Sequence, residues 1–176
     1  MATLPELVRD IIDAHHLPLR GELRRMEILI RQFGHRHGEL AHFGLEGAFS
    51  RFAEAMVAHL DHEEAVVFPL SIVIEHASRR LGETIPLDGD VTAAIRFMNL
   101  GHDDSADALR RLVLMIGTMA ERSSDSDLPL IGAGLASMLA DLEEHEAKEQ
   151  GILMPAVIFA EEQIRARTAG GREDRG

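Results

Sequence analysis

Four stretches of the chain repeat apolar residues at alternating intervals of four and three, the spacing of a helix buried along one seam. The first runs through Ile12, His16, Leu19, Leu23, Met26, Ile30 and Phe33. The second runs through Leu45, Phe49, Phe52, Met56, His59, Glu63, Val66, Leu70, Val73 and Ala77. The third takes in Val91, Ile95, Met98, His102, Ser105, Leu109, Leu112, Ile116 and Met119. The fourth takes in Ile131, Leu135, Met138, Leu142, His145, Glu149, Ile152, Ala156 and Phe159. Breaks rich in Gly, Pro or Ser/Asp separate them at Gly34–Gly44, Gly82–Gly89 and Ser123–Pro129. No segment alternates with period two for long enough to make a sheet. The expected fold is all-α, an up-down-up-down four-helix bundle over residues 1–167, followed by a disordered tail at 168–176.

The two halves also match one another. An offset of 86 takes His16 to His102, His59 to His145, Glu63 to Glu149 and Pro69 to Pro155. The same offset aligns Leu23-Arg24-Arg25 with Leu109-Arg110-Arg111. A helical hairpin duplicated in tandem accounts for this pattern.

His16, His59, His102 and His145 are spaced by 43 residues three times over, and the midpoints of successive pairs fall within or beside the three breaks. Residues equidistant from the turn of an antiparallel hairpin lie at one height, so four helices bring four imidazoles to one level. All four occupy seam positions and point inward. Glu63 and Glu149 follow their histidines by four residues, about 6 Å further along the same helix face. Six ionisable groups in an apolar core need compensation, because buried charges pair or coordinate metal. Two buried carboxylates without a cation would repel, and one would have to protonate.

Imidazole and carboxylate without thiolate suit iron, manganese or zinc. Four nitrogens and two carboxylates exceed the needs of one tetrahedral zinc. Two metals, each with two histidines and bridged by both glutamates, use every donor; an added oxo or hydroxo bridge leaves one position open on each. Open positions on a bridged pair suit dioxygen, nitric oxide or peroxide.

These motifs resemble the hemerythrin-like HHE cation-binding family from about Leu4 to Arg165. His59-Leu-Asp-His-Glu63-Glu64 followed by Val-Val-Phe68-Pro69 resembles that family's second-helix motif. His145-x-x-x-Glu149 followed by Ile-Leu-Met154-Pro155 resembles the fourth. His16-Leu-Pro-Leu-Arg20 is similar to the first-helix motif of the di-iron repair-of-iron-centres subgroup, and His37 is set beside a further histidine of that subgroup. The resemblance implies two non-haem iron ions held by His16, His59, His102 and His145 and bridged by Glu63 and Glu149. It implies binding or reaction of a small oxidant or gas. The alternatives are iron donation to damaged iron–sulfur proteins, as in the subgroup, and a metal-stabilised structural bundle.

Composition narrows the remaining classes. A net charge of −12 disfavours an electrostatic grip on nucleic acid or an anionic membrane. No apolar run approaches a bilayer span, and no secretory leader is legible, so a cytoplasmic location is expected. The absence of Cys, Trp and Tyr excludes cysteine nucleophiles and thiolate metal sites. His15 and His62 fall off the seam and are expected at the surface or lining an approach to the site. Asp13 and Asp141 are candidate partners for the spare ring N–H of His16 and His145, against the plainer reading of exposed carboxylates. His35, His37 and His42 form a histidine-rich break, and Glu39-Leu-Ala-His42 has no counterpart in the other half. Ser105 and Ala106, small residues beside His102, are read as space for a diatomic ligand, against the plainer reading of helix packing alone. The seam methionines read as core filler.

Overall fold

The computed structural model describes residues 3–37, 39–79 and 91–173, and the side chains of 3–37, 44–79 and 104–166. Among these the chain is helical, with no strand and four long helices. Helix α1 comprises α-helical Leu4–Ile11, a π turn at Ile12–His16 and α-helical Leu17–His37. Helix α2 comprises Glu39–His62, a π turn at Glu63–Val67 and Phe68–Arg79. Helix α3, Val91–Arg122, is unbroken. Helix α4 comprises Asp127–Lys148, a π turn at Glu149–Leu153 and Met154–Glu173, and so runs on into the stretch expected as a tail.

Local chemistry sets the ends. Thr3 caps α1: its hydroxyl accepts the Glu6 amide, and the Glu6 carboxylate accepts the Thr3 amide at 2.8 Å, a reciprocal capping box. The break expected at Gly34–Gly44 is far shorter than its composition suggests, since α1 reaches His37 and α2 starts at Glu39. The break at Gly82–Gly89 lies outside the described residues. The third is a real turn, in which the Ser123 hydroxyl accepts the Asp125 amide and the Asp125 carboxylate accepts the Asp127 amide.

Cross-helix pairs give the topology. Arg20 meets Asp61 while Arg31 meets Glu46, so α1 and α2 are antiparallel. His15 meets Asp141 while Arg36 meets Asp127, so α1 and α4 are antiparallel too. Between α3 and α4, Arg110 meets Glu143, whereas Ile116, further along, packs where α4 has reached back to Gly132. The result is an up-down-up-down arrangement.

The three π turns revise the sequence reading. Leu17 N–H donates to Ile12 C=O, Phe68 N–H to Glu63 C=O and Met154 N–H to Glu149 C=O, each spanning five residues. Each turn adds one residue to the helix and rotates everything beyond it by about 100°. The continuous seam expected through Val66, Val73, Ile152 and Phe159 is therefore wrong beyond the turns. Those four side chains are 44%, 48%, 52% and 63% exposed, while Val67, Ile74, Leu153 and Val157 are at most 3% exposed. Proline supplies the physical reason. Pro18, Pro69 and Pro155 each stand six residues after the first residue of a π turn. A helical proline lacks the N–H owed to the carbonyl four residues back, and its ring crowds that carbonyl. A widened turn relieves both problems. The offset of 86 takes Pro18 to Asp104, and α3 keeps its α-helical register.

The apolar core is divided. One cluster gathers Leu19, Leu23, Met26, Phe49, Met56, Leu60, Leu109, Leu135 and Leu142. The other gathers Leu4, Val8, Ile11, Val67, Phe68, Ile74, Leu153 and Val157. Along α1 the boundary falls between Ile11 and Leu19, along α2 between Leu60 and Val67, and along α4 between Leu142 and Leu153. His16, Glu63, His145 and Glu149 occupy that gap.

Candidate metal centre

His16, Glu63, His145 and Glu149 are all buried, and one donor atom from each lies within 4.8 Å of every other. Each belongs to, or sits four residues ahead of, a π turn: His16 closes the first, Glu63 and Glu149 open the second and third, and His145 lies one turn before Glu149. The bulges thus fall in the polar layer between the two cores.

The Nε2 atoms of His16 and His145 face one another at 3.1 Å, with the rings edge to face at 4.8 Å between centroids. His145 Nε2 is 3.1 Å from Glu149 Oε1. The Glu63 carboxylate is shared: Oε1 lies 2.9 Å from His59 Nε2, and Oε2 lies 3.4 Å from His16 Nε2. His59 therefore joins the cluster through Glu63. His102 lies on α3, and its side chain is outside the described residues. Four of the six residues expected from spacing thus converge, and a fifth, His59, touches one of them.

The outer contacts differ from expectation. His15 is not at the surface but 3% exposed. Its ring stacks on that of His145 at 5.5 Å, its Nδ1 donates to Asp141 at 3.0 Å, and Lys148 Nζ donates to its Nε2 at 2.9 Å. Asp141 accordingly serves His15 and not His145. Asp13 is exposed, and the partner of His16 Nδ1 is instead Glu64, at 2.9 Å. The Arg20 guanidinium in turn donates to Glu64 at 3.1 Å and to Asp61 at 2.7 Å. Spacing does not single out Glu64, which follows a candidate bridge and lies off the seam. The available signal was Arg20, four residues after His16, whose charge needs a partner on the neighbouring helix.

Burial holds the His16 imidazole below its ordinary value, against the opposing pull of the Glu64 hydrogen bond, so the ring is neutral near pH 7. Burial by itself would raise the Glu64 carboxyl, but hydrogen bonds from His16 and Arg20 outweigh it and hold the group below the usual carboxylate range. Burial opposes the Arg20 charge, yet hydrogen bonds to Asp61 and Glu64 leave its pKa raised.

This donor set fits a metal ion. A neutral His16 that donates from Nδ1 to a carboxylate presents the Nε2 lone pair inward, the tautomer that a metal ligand needs. Two nitrogens bound to one ion at ~2.0–2.1 Å stand about 3.0–3.4 Å apart, matching the His16–His145 separation. A cation would also compensate two carboxylates that are 0% exposed. Borderline nitrogen and hard oxygen donors without sulfur suit iron, manganese or zinc.

His37 and the groove lined by Ser105 lie apart from the four converging residues. His37 Nε2 is 2.5 Å from Asp125, and its ring packs on Phe33. It sits 21 residues along α1 from His16, about 30 Å away. His35 is exposed, and the side chain of His42 is outside the described residues. Ser105 and Ala106 are buried. Ser105 lines a groove of about 310 Å³ between α2 and α3, whose walls include Phe52, Ala55, Ala108 and Leu112 but none of the converging residues. No described helix is long and apolar enough to cross a membrane.

No protein-family model, no curated protein and no solved structure matches the chain.

Proposed function

We propose that this chain holds a non-haem di-iron centre, in a hemerythrin-like bundle built from a duplicated hairpin, and uses it to bind or react with dioxygen, nitric oxide or peroxide. The observation that carries this reading is the divided carboxylate of Glu63. One oxygen lies beside His59 and the other beside His16, as a group bridging two ions requires. His16 and His145 are spaced as ligands of one ion. His59, with His102 as the counterpart of His16 in the repeat, would serve the second. The offset of 86 supports the duplication beyond the ligands. It relates the π turns at Glu63 and Glu149, and it takes the Glu75–Arg79 ion pair to Glu161–Arg165.

When bound, an iron pair supplies open coordination positions and the electrons to reduce an oxidant. The protein's own part is to fix the donors, seal them and limit side reactions. Phe68 packs against the His16 ring at 5.4 Å, and apolar clusters close the layer from both ends. With no Tyr, Trp or Cys in the chain, no ready side chain can share an oxidising equivalent, which favours binding and simple electron exchange over oxidation of an organic substrate.

The test is anaerobic loading with Fe(II), metal analysis, and Mössbauer and optical spectra before and after mixing with nitric oxide or dioxygen. Two irons per chain, exchange-coupled in the oxidised state and responsive to a gas, are expected. A single uncoupled ion overturns the dinuclear reading. A coupled pair indifferent to both gases overturns the gas reading, and release of that iron to an iron–sulfur apoprotein would put delivery in its place.

A further inference from the structure

We infer that Glu64, clamped by Arg20, is a positioning residue that fixes the tautomer and the aim of His16 and strengthens it as a metal ligand. The inference rests on the metal reading above and extends it to residues that do not touch the ion.

Five contacts carry it. His16 Nδ1 is 2.9 Å from Glu64 Oε1. Arg20 donates to the same oxygen at 3.1 Å and to Asp61 at 2.7 Å. On the opposite edge of the ring, His16 Nε2 faces His145 Nε2 at 3.1 Å and Glu63 Oε2 at 3.4 Å. An ionised carboxylate only accepts hydrogen bonds, so the Nδ1 proton belongs to His16, and a neutral ring then keeps its lone pair at Nε2. The imidazole has two ways to place its proton. Glu64 selects the one that leaves the inward nitrogen able to coordinate.

Glu64 does more than choose a tautomer. An anionic acceptor on the outer nitrogen increases the basicity of the inner one, and loss of such a partner typically weakens metal binding ~10–100-fold. The Glu64 side chain is 36% exposed, whereas that of His16 is 0% exposed, so a free carboxylate could swing into water. Arg20 prevents this, because one guanidinium spans Asp61 and Glu64 on the same face of α2 and ties both to α1. The route from solvent to ligand is thus Arg20, Glu64, His16. Arg20 also lines an open groove between α1 and α2, together with Leu23, Ser50, Val57 and Asp61, so the clamp is reached from outside the sealed layer.

The experiment is anaerobic titration of the metal-free full chain with Co(II), whose visible bands report ligand number and geometry. Wild type is compared with Glu64→Ala, Glu64→Gln and Arg20→Ala, and Arg31→Ala serves as a control that breaks surface ion pairs with Glu27 and Glu46, 15 residues along α1 from His16. The expected result is ~10–100-fold weaker binding and altered bands for Glu64→Ala. Glu64→Gln keeps an acceptor but loses the charge, so an intermediate loss of affinity with near-normal bands is expected. Arg20→Ala should fall between Glu64→Gln and wild type, and Arg31→Ala should match wild type. If Glu64→Ala loses helicity by circular dichroism, Glu64→Gln and Arg20→Ala decide the matter. Equal affinity and identical bands across the folded Glu64 and Arg20 variants, with wild type loading normally, overturn the positioning role alone. A wild-type chain that takes up no Co(II) overturns the metal reading itself.

Discussion

Glu63 and Glu149 stand 86 residues apart, each is the first residue of a π turn, and each is followed six positions later by proline. The pairing of buried glutamate and bulge is the same in both helices. The polar layer thus coincides with the places where helical register changes, a recurrent association of π bulges with functional sites.

The register change predicts an ordering of stabilities. Ile74→Ala empties a site that is 0% exposed and should cost about 2–5 kcal/mol. Val73→Ala alters a side chain that is 48% exposed and should stay within about 0.5 kcal/mol. Leu153→Ala and Ile152→Ala should show the same contrast. Urea unfolding of the four variants checks it, and a larger loss for Val73 and Ile152 would mean that α-helical register continues past both glutamates.

Glu149→Ala should remove a shared ligand and leave the buried cations short of negative charge. At least one iron and the exchange-coupled signal should be lost. Metal analysis with Mössbauer spectra reads both, and full retention of a coupled pair would exclude a bridging role for this residue.

Removal of metal should lower the melting temperature. A ligand present at 100 times its dissociation constant stabilises the folded state by ~2.7 kcal/mol, which for a domain of this size is about 5–11 °C. Calorimetry of chelated and reloaded protein provides the comparison. Identical melting temperatures would show that the polar layer gains nothing from a cation.

In metal-free protein, acid should act through His16. Burial lowers its pKa from the ordinary 6.5, so between that value and the folded-state value the unfolded chain binds the proton first. Stability therefore falls as pH drops below about 6.5 and levels off once the folded state also protonates. Urea midpoints from pH 7.5 down to 5 should decline, and less steeply in His16→Gln. An equal slope in the variant would assign the acid sensitivity to other groups.

Much of the candidate site was legible in the sequence because its determinants are local. A spacing of four places His59 with Glu63, and His145 with Glu149, on one helix face whatever packs against them. The seams upstream of each bulge in α2 and α4, from Leu45 to Met56 and from Ile131 to Leu142, are buried as their spacing required. The prolines that accompany the π turns were also in view, but spacing counts assume a uniform 3.6 residues per turn and carry the wrong face forward past Glu63 and Glu149.

What the sequence by itself determined is therefore the helical class, the inward faces before each bulge, and the histidines and glutamates that lie on them. Tertiary structure alone decided which residues surround those donors. His15 was expected at the surface or lining an approach to the site, and α4 buries it by offering Asp141 and Lys148 to its two ring nitrogens. Glu64 lies off the seam of its own helix but faces α1, where His16 and Arg20 meet it. Periodicity describes one helix at a time. The rotation and height of its neighbours, which decide whether an off-seam polar group meets water or a partner, depend on packing among residues far apart in the chain.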